Sequence, residues 1–242
     1  PNGMIDLSEK YNPCLNLVYI YLMINRNMIG KANTSILDIQ KDILKTKNQN
    51  IIQKRTDEIL DSYYILSNSI IKEDKTVAIN SLISIEKYED DFDFGELNYN
   101  SLNESLEELR NNNKIKNVKQ IRLSIIPYES EDLAFTKIYL QEYIMLMNFV
   151  YNNPKNKTYK IIDLTNLYLL IKRYIGRNIS FNKKFSNNKN SCCIYLDRLV
   201  KESSLSQITL KKYLDALCDL NLLEKYKKEV KVYYILTHEE FV

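Results

Sequence analysis

ITLKKYLDALCDLNLL, residues 208–223, nearly repeats an earlier stretch, NIIQKRTDEILDSYYIL, residues 50–66. When Ile208 is aligned with Asn50, apolar residues fall on apolar residues, and Lys and Asp recur at the same places. The matched pairs are Ile52 with Leu210, Lys54 with Lys212, Asp57 with Asp215, Ile59 with Leu217, Asp61 with Asp219, Tyr64 with Leu222 and Ile65 with Leu223. In both copies the apolar residues recur at the three- and four-residue spacing of an amphipathic helix. The sequence therefore predicts one helix that occurs twice.

The first copy is the third helix of a predicted module at residues 4–85. The other predicted elements of this module are a helix from Asn12-Pro13 to Gly30, a helix capped by Thr34 or Ser35 with Ile36, Ile39, Ile43 and Leu44 on its apolar face, and strands at Ser69–Ile71 and Val77–Ile85. The third helix is expected to turn Ile52, Ile59, Leu60 and Tyr63 inward. Its other side, which carries Gln53, Lys54 and Arg55, is expected to face outward.

The second copy belongs to a predicted module at residues 131–242. The elements predicted before the repeated helix are a long amphipathic helix at Glu131–Tyr151, a helix from Lys160 to Gly176, a polar segment at Arg177–Asn190 and a helix at Ser191–Glu202. Ser206 is expected to cap the repeated helix. Strands at Leu223–Tyr226 and Val230–Leu236 follow, on either side of the charged turn Lys227-Lys228-Glu229.

Three helices followed by two strands around a charged turn is the order of elements in a winged helix-turn-helix domain. The sequence therefore predicts an α+β chain, predominantly helical, with two winged helix-turn-helix domains. Residues 86–130 are predicted to connect the domains through an acidic linker at Glu86–Glu96, a helix at Leu102–Leu109 and a strand at Ile121–Pro127. The long helix at Glu131–Tyr151 begins the second domain or joins the two. Its apolar stripe is expected to pack in a core, and a dimer contact is the alternative.

Charge is distributed unevenly along the chain, whose formal net charge is +3. Residues 4–75 carry 10 Lys and Arg against 9 Asp and Glu, residues 76–150 carry 7 against 13, and residues 151–242 carry 17 against 9. A protein that binds phosphates needs a local cationic surface, not a high overall charge. The last third is therefore the best candidate for contact with a polyanion. A solvated basic surface without a partner is the alternative.

Cationic and amide side chains near the start of each repeated helix are candidate DNA ligands. In a helix-turn-helix, the N-terminal residues of the recognition helix reach base edges. Arg and Lys donate to phosphate or guanine, and Asn or Gln pairs with adenine. The candidates are Gln53, Lys54 and Arg55 in the first domain and Gln207, Thr209, Lys211 and Lys212 in the second, with Lys183, Lys184 and Lys189 in a basic loop and Lys227 and Lys228 in the turn between the last strands.

Residues suited to catalysis are scarce in this sequence. His238 is the single histidine, which argues against rolling-circle initiators that need paired metal-binding histidines and against tyrosine recombinases. Gly30-Lys31 lacks the first glycine and the following Ser or Thr of a phosphate-binding loop. The acidic segment Glu86–Glu96 lacks the ligand spacing of an EF-hand, so we expect a solvated loop there. The sequence therefore predicts no enzymatic activity, no cofactor and no bound metal.

Apolar runs and cysteine spacing bear on the compartment. No apolar run approaches the roughly 20 residues that a membrane span needs. Cys14, Cys192, Cys193 and Cys218 show no CxxC spacing, so they are interpreted as small core residues in a reducing compartment. We therefore expect a cytoplasmic protein that does not associate with a membrane.

The predicted layout resembles the tandem winged-helix replication initiators of bacterial plasmids. Residues 15–65 are also similar in layout to the winged-helix replisome organisers of low-G+C bacteria and their phages. The resemblance implies binding to repeated double-stranded DNA sites at an origin, with Lys54, Arg55, Lys211 and Lys212 on the recognition helices. A winged-helix transcriptional regulator is the first alternative, and a protein-interaction scaffold without DNA contact is the second. If the second domain holds DNA, the nearly neutral first domain is expected to form a homodimer or bind a replication-protein partner.

Overall fold

The computed structural model describes residues 2–45, 49–75, 77–86, 96–111, 121–125, 136–153, 156, 158–181, 191–228 and 231–237. Within these ranges the chain is an α+β protein in which helices predominate and each sheet has three strands. The predicted class, α+β and predominantly helical, is therefore confirmed. The chain divides into two compact units, residues 3–132 and residues 133–242.

The first unit contains five helices and six strands within the described ranges. Its helices are α1 (Asn2–Lys10), α2 (Leu15–Asn25), α3 (Ile36–Ile39), α4 (Gln49–Ser67) and α5 (Leu102–Asn111), and a π-helical turn at Gln40–Leu44 continues α3. Its strands are β1 (Lys31–Thr34), β2 (Ser69–Ile71), β3 (Val77–Ile79), β4 (Ile83–Glu86), β5 (Glu96–Asn98) and β6 (Ile121–Ile125). The helix predicted at Leu102–Leu109 and the strand predicted at Ile121–Pro127 are thus present with slightly different ends.

The helix α4, the first copy of the repeat, packs against α2. Ile59, Leu60 and Tyr63 are buried, as the apolar spacing predicts. Asn12, in the turn before α2, donates from its side-chain amide to the carbonyl oxygen of Glu58 at 2.7 Å. This contact joins the start of α2 to the middle of α4.

Ser35 caps the helix α3. Its hydroxyl oxygen accepts the N–H of Asp38 at 3.1 Å, and the Asp38 carboxylate accepts the N–H of Ser35 at 3.0 Å. This reciprocal pair is a capping box, which satisfies backbone donors that the helix leaves without partners. The cap predicted at this position is therefore confirmed, and Ile36, Ile39 and Ile43 are buried behind it.

The strand predicted at Val77–Ile85 is wrong in its extent, because this segment forms two strands that enter different sheets. In one sheet, of order β3-β2-β5, β3 pairs with β2 in antiparallel fashion. In the other, of order β1-β6-β4, β4 pairs with β6. The central strand β6 lies outside residues 4–85, so this sheet combines strands from distant parts of the chain.

The second unit has a shorter list of elements. They are α6 (Leu140–Tyr151), α7 (Ile161–Phe181), β7 (Ser191–Cys193), α8 (Leu196–Ser203), α9 (Gln207–Asp219), β8 (Leu223–Lys228) and β9 (Lys231–Leu236). The three strands form one antiparallel sheet of order β7-β9-β8, with Cys192 opposite Tyr234 and Tyr226 opposite Tyr233. α7 packs against α6, α8, α9 and the sheet. It is therefore the central helix of this unit.

Three helix predictions for the second unit are wrong in extent or type. The helix predicted at Glu131–Tyr151 begins only at Leu140, because Tyr139 has an extended backbone and donates its N–H to the Glu142 carboxylate at 2.8 Å. The helix predicted to end at Gly176 continues through that glycine to Phe181. Residues 191–193, predicted as helix, form the strand β7 because they pair with β9.

The two copies of the repeat end differently. In the second copy α9 stops at Asp219, and Asn221 has a left-handed backbone with φ of 55°. In the first copy the aligned residue is Tyr63, which is buried within α4, and the helix continues to Ser67. A small polar residue adopts the left-handed conformation more readily than an aromatic one. The shared apolar spacing therefore belongs to helices of different length.

Among the described residues, no helix combines the length and the apolar composition that crossing a membrane requires.

Candidate nucleic-acid interface

The helix α9 has one buried side and one exposed side. Leu210, Tyr213, Leu214 and Leu217 are buried on the inner side. The outer side carries a stripe of residues at helical spacing, in order Ile208, Lys211, Lys212, Asp215 and Asp219. We call these five residues the outer stripe. Its first half is apolar and cationic, and its second half is anionic.

Ser206 fixes the first turn of α9. Its hydroxyl oxygen accepts the N–H of Thr209 at 3.2 Å, and the two hydroxyl oxygens lie 2.9 Å apart. The cap predicted at Ser206 is therefore confirmed. Because the Thr209 hydroxyl belongs to this cap, it is a poor candidate for reading a base. Gln207, beside it, is exposed.

Lys211 and Lys212 are adjacent in sequence but differ in their surroundings. The Lys212 ammonium donates to the hydroxyl of Thr158 and lies 4.1 Å from the centre of the Tyr159 ring. The Tyr159 ring in turn stacks on Tyr213 with a centroid distance of 5.3 Å. Lys211, by contrast, is exposed. Of the two lysines, Lys211 is therefore the more accessible.

The hairpin of β8 and β9 carries further cations close to α9. Lys225 and Lys227 are exposed on β8. The Lys225 ammonium lies 3.9 Å from a carboxylate oxygen of Asp215, with side chains 44% and 67% exposed. Such an exposed ion pair is worth little in stability, so it leaves Lys225 available to an anion. Lys227 and Lys228 were predicted in the turn after a strand ending at Tyr226, but β8 extends to Lys228 because both lysines pair with β9. The side chain of Lys228 lies outside the described structure.

A groove of about 340 Å³ lies between α9 and the sheet. Its lining includes the apolar residues Ile194, Leu214 and Val232 and the cationic residues Lys211 and Lys225. Tyr195, which is 68% exposed, stands at the same groove. The exposed lysines of the helix and of the hairpin therefore border one concave surface.

Two ion-pair clusters hold helices to α7, on which α9 also packs. Glu202 at the end of α8 accepts from the Arg198 guanidinium at 2.9 Å and from Arg173 at 3.3 Å, and Tyr174 donates to the same carboxylate. Burial opposes ionisation of Glu202, but the hydrogen bonds from Tyr174 and Arg198 outweigh it and lower the pKa of this carboxyl. α8 is thus fixed to α7 by a charged network.

The second cluster joins α6 to α7 and is fully buried. The Lys172 ammonium lies 2.8 Å from both carboxylate oxygens of Glu142, and Tyr168 donates to one of them. Burial lowers the pKa of Lys172, although Glu142 acts in the opposite direction. Burial also raises the pKa of the Tyr168 hydroxyl, as does the neighbouring Glu142. The cluster is satisfied internally, which indicates a structural role.

The first unit offers a less accessible set of candidates. Arg55 was expected to face outward, but its guanidinium contacts the Glu58 carboxylate and the Cys14 sulfur, and its side chain is 17% exposed. Glu58 also accepts from the Cys14 thiol at 3.1 Å. Arg55 thus takes part in the contact between α4 and the start of α2. The side chains of Gln53 and Lys54 lie outside the described structure.

The basic loop with Lys183, Lys184 and Lys189 also lies outside the described residues, as does His238.

All four cysteines are free, with Cys14 and Cys192 buried and Cys193 and Cys218 partly exposed. Burial raises the pKa of the Cys192 thiol to about 12, so it stays protonated at neutral pH. Among the described residues no group of three or more His, Cys, Asp or Glu side chains is arranged to hold a metal ion.

Sequence reasoning missed two features of this surface. Ile208 is 83% exposed at the second position of α9. The apolar spacing at residues 210, 213, 214 and 217 places residue 208 on the opposite side of the helix. The exposure of Ile208 could therefore have been predicted from the sequence. Lys225 was also missed, because its approach to α9 depends on how the strand packs.

Comparisons with protein-family models, with curated proteins and with solved structures found no match to this chain. Since a fold does not by itself specify a function, the functional argument depends on the chemistry of α9 and of the β8–β9 hairpin.

Proposed function

We propose that this chain binds double-stranded DNA through its second unit, with α9 as the recognition helix and the β8–β9 hairpin as a wing. The observation that carries the proposal is the order α7, β7, α8, α9, β8, β9 with strands arranged β7-β9-β8. Helix, strand, two helices and a hairpin in this order support the interpretation of this unit as a winged helix-turn-helix. The exposed Gln207 and Lys211 lie in the first two turns of α9, where such domains contact base edges.

The charges along α9 favour one way of approach to DNA. Lys211 in the first half of the outer stripe attracts phosphate, whereas Asp215 and Asp219 in the second half repel it. The helix would therefore enter the major groove with its N-terminal end. Lys225 and Lys227 on the wing would then lie near the flanking backbone, where cations fix the register without reading sequence.

The biological role that we propose is initiation of replication of a plasmid or phage. The related role of a transcriptional regulator uses the same chemistry. DNase footprinting on DNA from the protein's own locus distinguishes the two roles. An initiator should protect direct repeats, and a regulator should protect a palindrome beside a promoter.

The first unit, in which the Arg55 guanidinium contacts Glu58 and Cys14, would form a homodimer or bind a replication protein. Sedimentation velocity of the full chain at several concentrations tests the dimer.

Salt dependence of binding tests whether the chain contacts DNA at all. Fluorescence anisotropy would follow the full chain binding to labelled 30-base-pair duplexes between roughly 50 and 200 mM salt. Neutralising a phosphate releases counterions, so log K should fall with log salt at a slope of about −0.9 per phosphate contacted. Absence of binding to any duplex at low salt would instead support a protein-interaction scaffold.

A further inference from the structure

Ile208 is an apolar side chain placed where the proposed recognition helix begins. It is 83% exposed, although burying an isoleucine side chain normally stabilises a fold. Single exposed apolar residues are common on protein surfaces, so exposure alone carries nothing. What distinguishes Ile208 is its position in a turn whose backbone is fixed by the Ser206 cap.

The contacts made by the neighbours of Ile208 reduce the number of α9 side chains that are accessible to a base. Thr209 is engaged in the cap, and Lys212 is held against Thr158 and Tyr159. In the first two turns of α9, the exposed side chains are therefore Gln207, Ile208 and Lys211. The aspartates farther along the outer stripe keep the rest of the helix away from phosphate.

We propose that Ile208 is a specificity-determining residue that contacts the 5-methyl group of thymine in the major groove. This inference rests on the proposed DNA-binding function. Thymine is the base that presents a methyl group there, and apolar side chains contact it. Gln207, next to Ile208, can pair with the N6 and N7 atoms of adenine. The start of α9 is thus suited to A·T base pairs, with Lys211 donating to phosphate or guanine.

Uracil substitution tests this contact directly. Duplexes would first be selected from a randomised pool with the full chain, and each selected duplex would be remade with deoxyuridine at single thymine positions. Uracil lacks only the methyl group, so base pairing stays the same. At the thymine that Ile208 contacts, we expect the uracil duplex to bind about fourfold more weakly than the thymine duplex, because one methyl group is no longer buried.

Ile208→Ala completes a thermodynamic cycle with this substitution. The variant should bind the thymine duplex about fourfold more weakly than the original chain and should lose nothing further on the uracil duplex. Ile29→Ala is the matched control, since Ile29 is 74% exposed in the first unit. That control should retain both the affinity and the full uracil effect. Circular dichroism would verify that both variants are folded.

Three results would overturn the inference: selected duplexes without thymine, no uracil effect at any position, or the same uracil effect in Ile208→Ala as in the original chain. In each of these cases salt-dependent DNA binding would remain, so the proposed function would survive. Failure of the pool to enrich, with no salt-dependent binding, would overturn the proposed function and the inference with it. If Ile208 served a protein partner instead, its replacement would leave DNA binding unchanged.

Discussion

At the scale of single residues, the surroundings of a side chain decide its role more than its type does. Lys211 and Lys212 are indistinguishable by composition, and the repeat favours Lys212 because it aligns with Lys54. The structure exposes Lys211 and packs Lys212 against Tyr159. Accessibility of this kind depends on a residue about 50 positions away, which no helical spacing could indicate.

We therefore expect Lys211→Ala to weaken DNA binding about fivefold at low salt and to reduce the log-log salt slope by about 0.9, the effect of one lost phosphate contact. Lys212→Ala is the matched variant, and it should leave the slope unchanged. Anisotropy titrations at four or more salt concentrations measure both quantities. A larger change of slope for Lys212→Ala would contradict the assignment.

The buried Lys172–Glu142 pair leads to a prediction about stability. Removing one member of a buried ion pair leaves a charge without compensation, which typically costs about 3–5 kcal/mol. Glu142→Gln should therefore lower the free energy of unfolding by about 3 kcal/mol, as measured by urea denaturation. The double variant Glu142→Gln with Lys172→Met removes the charge and should recover most of the loss. No recovery would show that packing, not charge, dominates at this site.

Glu202 leads to a prediction about pH. Its pKa in the folded chain lies below its ordinary value of 4.5, so its contribution to stability is present above that pH and is lost as the pH falls through the folded pKa. Glu202→Gln should cost about 1 kcal/mol at pH 7, since the site is partly exposed and screened. The difference in unfolding free energy from the original chain should shrink below pH 4.5. Glu224→Gln, at an exposed position, is the control and should show no such convergence.

At the scale of elements, local signals predicted what local forces determine. The apolar spacing of both repeated helices and the caps at Ser35 and Ser206 are confirmed, because these depend on residues within one or two turns. Residues 191–193 were predicted as helix and form β7 instead. Their partner β9 lies about 40 residues farther along the chain, so only tertiary pairing decides between the two states.

The signals for helix ends were less reliable than those for helix starts. Gly176 was expected to end a helix, but glycine does so chiefly when it adopts a positive φ. Gly30, with φ of 77°, lies in the turn before β1 and not at the end predicted for the first helix, because α2 already ends at Asn25, and Gly176 continues α7. The start of α6 was placed too early because the Tyr139–Glu142 cap has no Ser, Thr, Asp or Asn at its first position to indicate it.

The cap of α9 links an element to the proposed function. Ser206→Ala should lower the free energy of unfolding by about 1 kcal/mol, since it removes the hydroxyl that accepts the Thr209 N–H. Ser206→Asp retains a capping oxygen and should preserve stability. It also adds an anion where DNA would lie, so it should weaken DNA binding more than Ser206→Ala does. Thermal unfolding measures the stability of both variants, and fluorescence anisotropy measures their DNA affinity. Equal DNA affinities of the two variants would contradict a position of the α9 start close to phosphate.

At the scale of the whole molecule, charge separates two units that share a repeated helix. Residues 133–242 carry 18 Lys and Arg against 10 Asp and Glu, whereas residues 3–132 carry 16 against 21. Counting charges along the sequence indicates which part is the better candidate for contact with a polyanion, and that contact stays a prediction. It could not predict that Arg55 is engaged with Glu58 and Cys14, because that contact depends on how α2 packs on α4.

The hairpins that follow the two repeated helices provide the sharpest comparison of the units. Lys225 and Lys227 are exposed on the hairpin of the second unit, and Lys72 and Lys75 are exposed between β2 and β3 in the first. Replacing a lysine by glutamine removes the charge and keeps most of the side chain, so each pair can be tested with little effect on folding.

Lys225→Gln with Lys227→Gln should reduce the salt slope of DNA binding by about 0.9 for each phosphate contact that these lysines make. Lys72→Gln with Lys75→Gln should leave it unchanged if only the second unit holds DNA. Both double variants should be measured in the full chain on the same duplex, because the slope depends on every phosphate contacted. Equal reductions would mean that both hairpins lie on DNA, and the net acidic first unit would then be a second DNA-binding domain despite its charge.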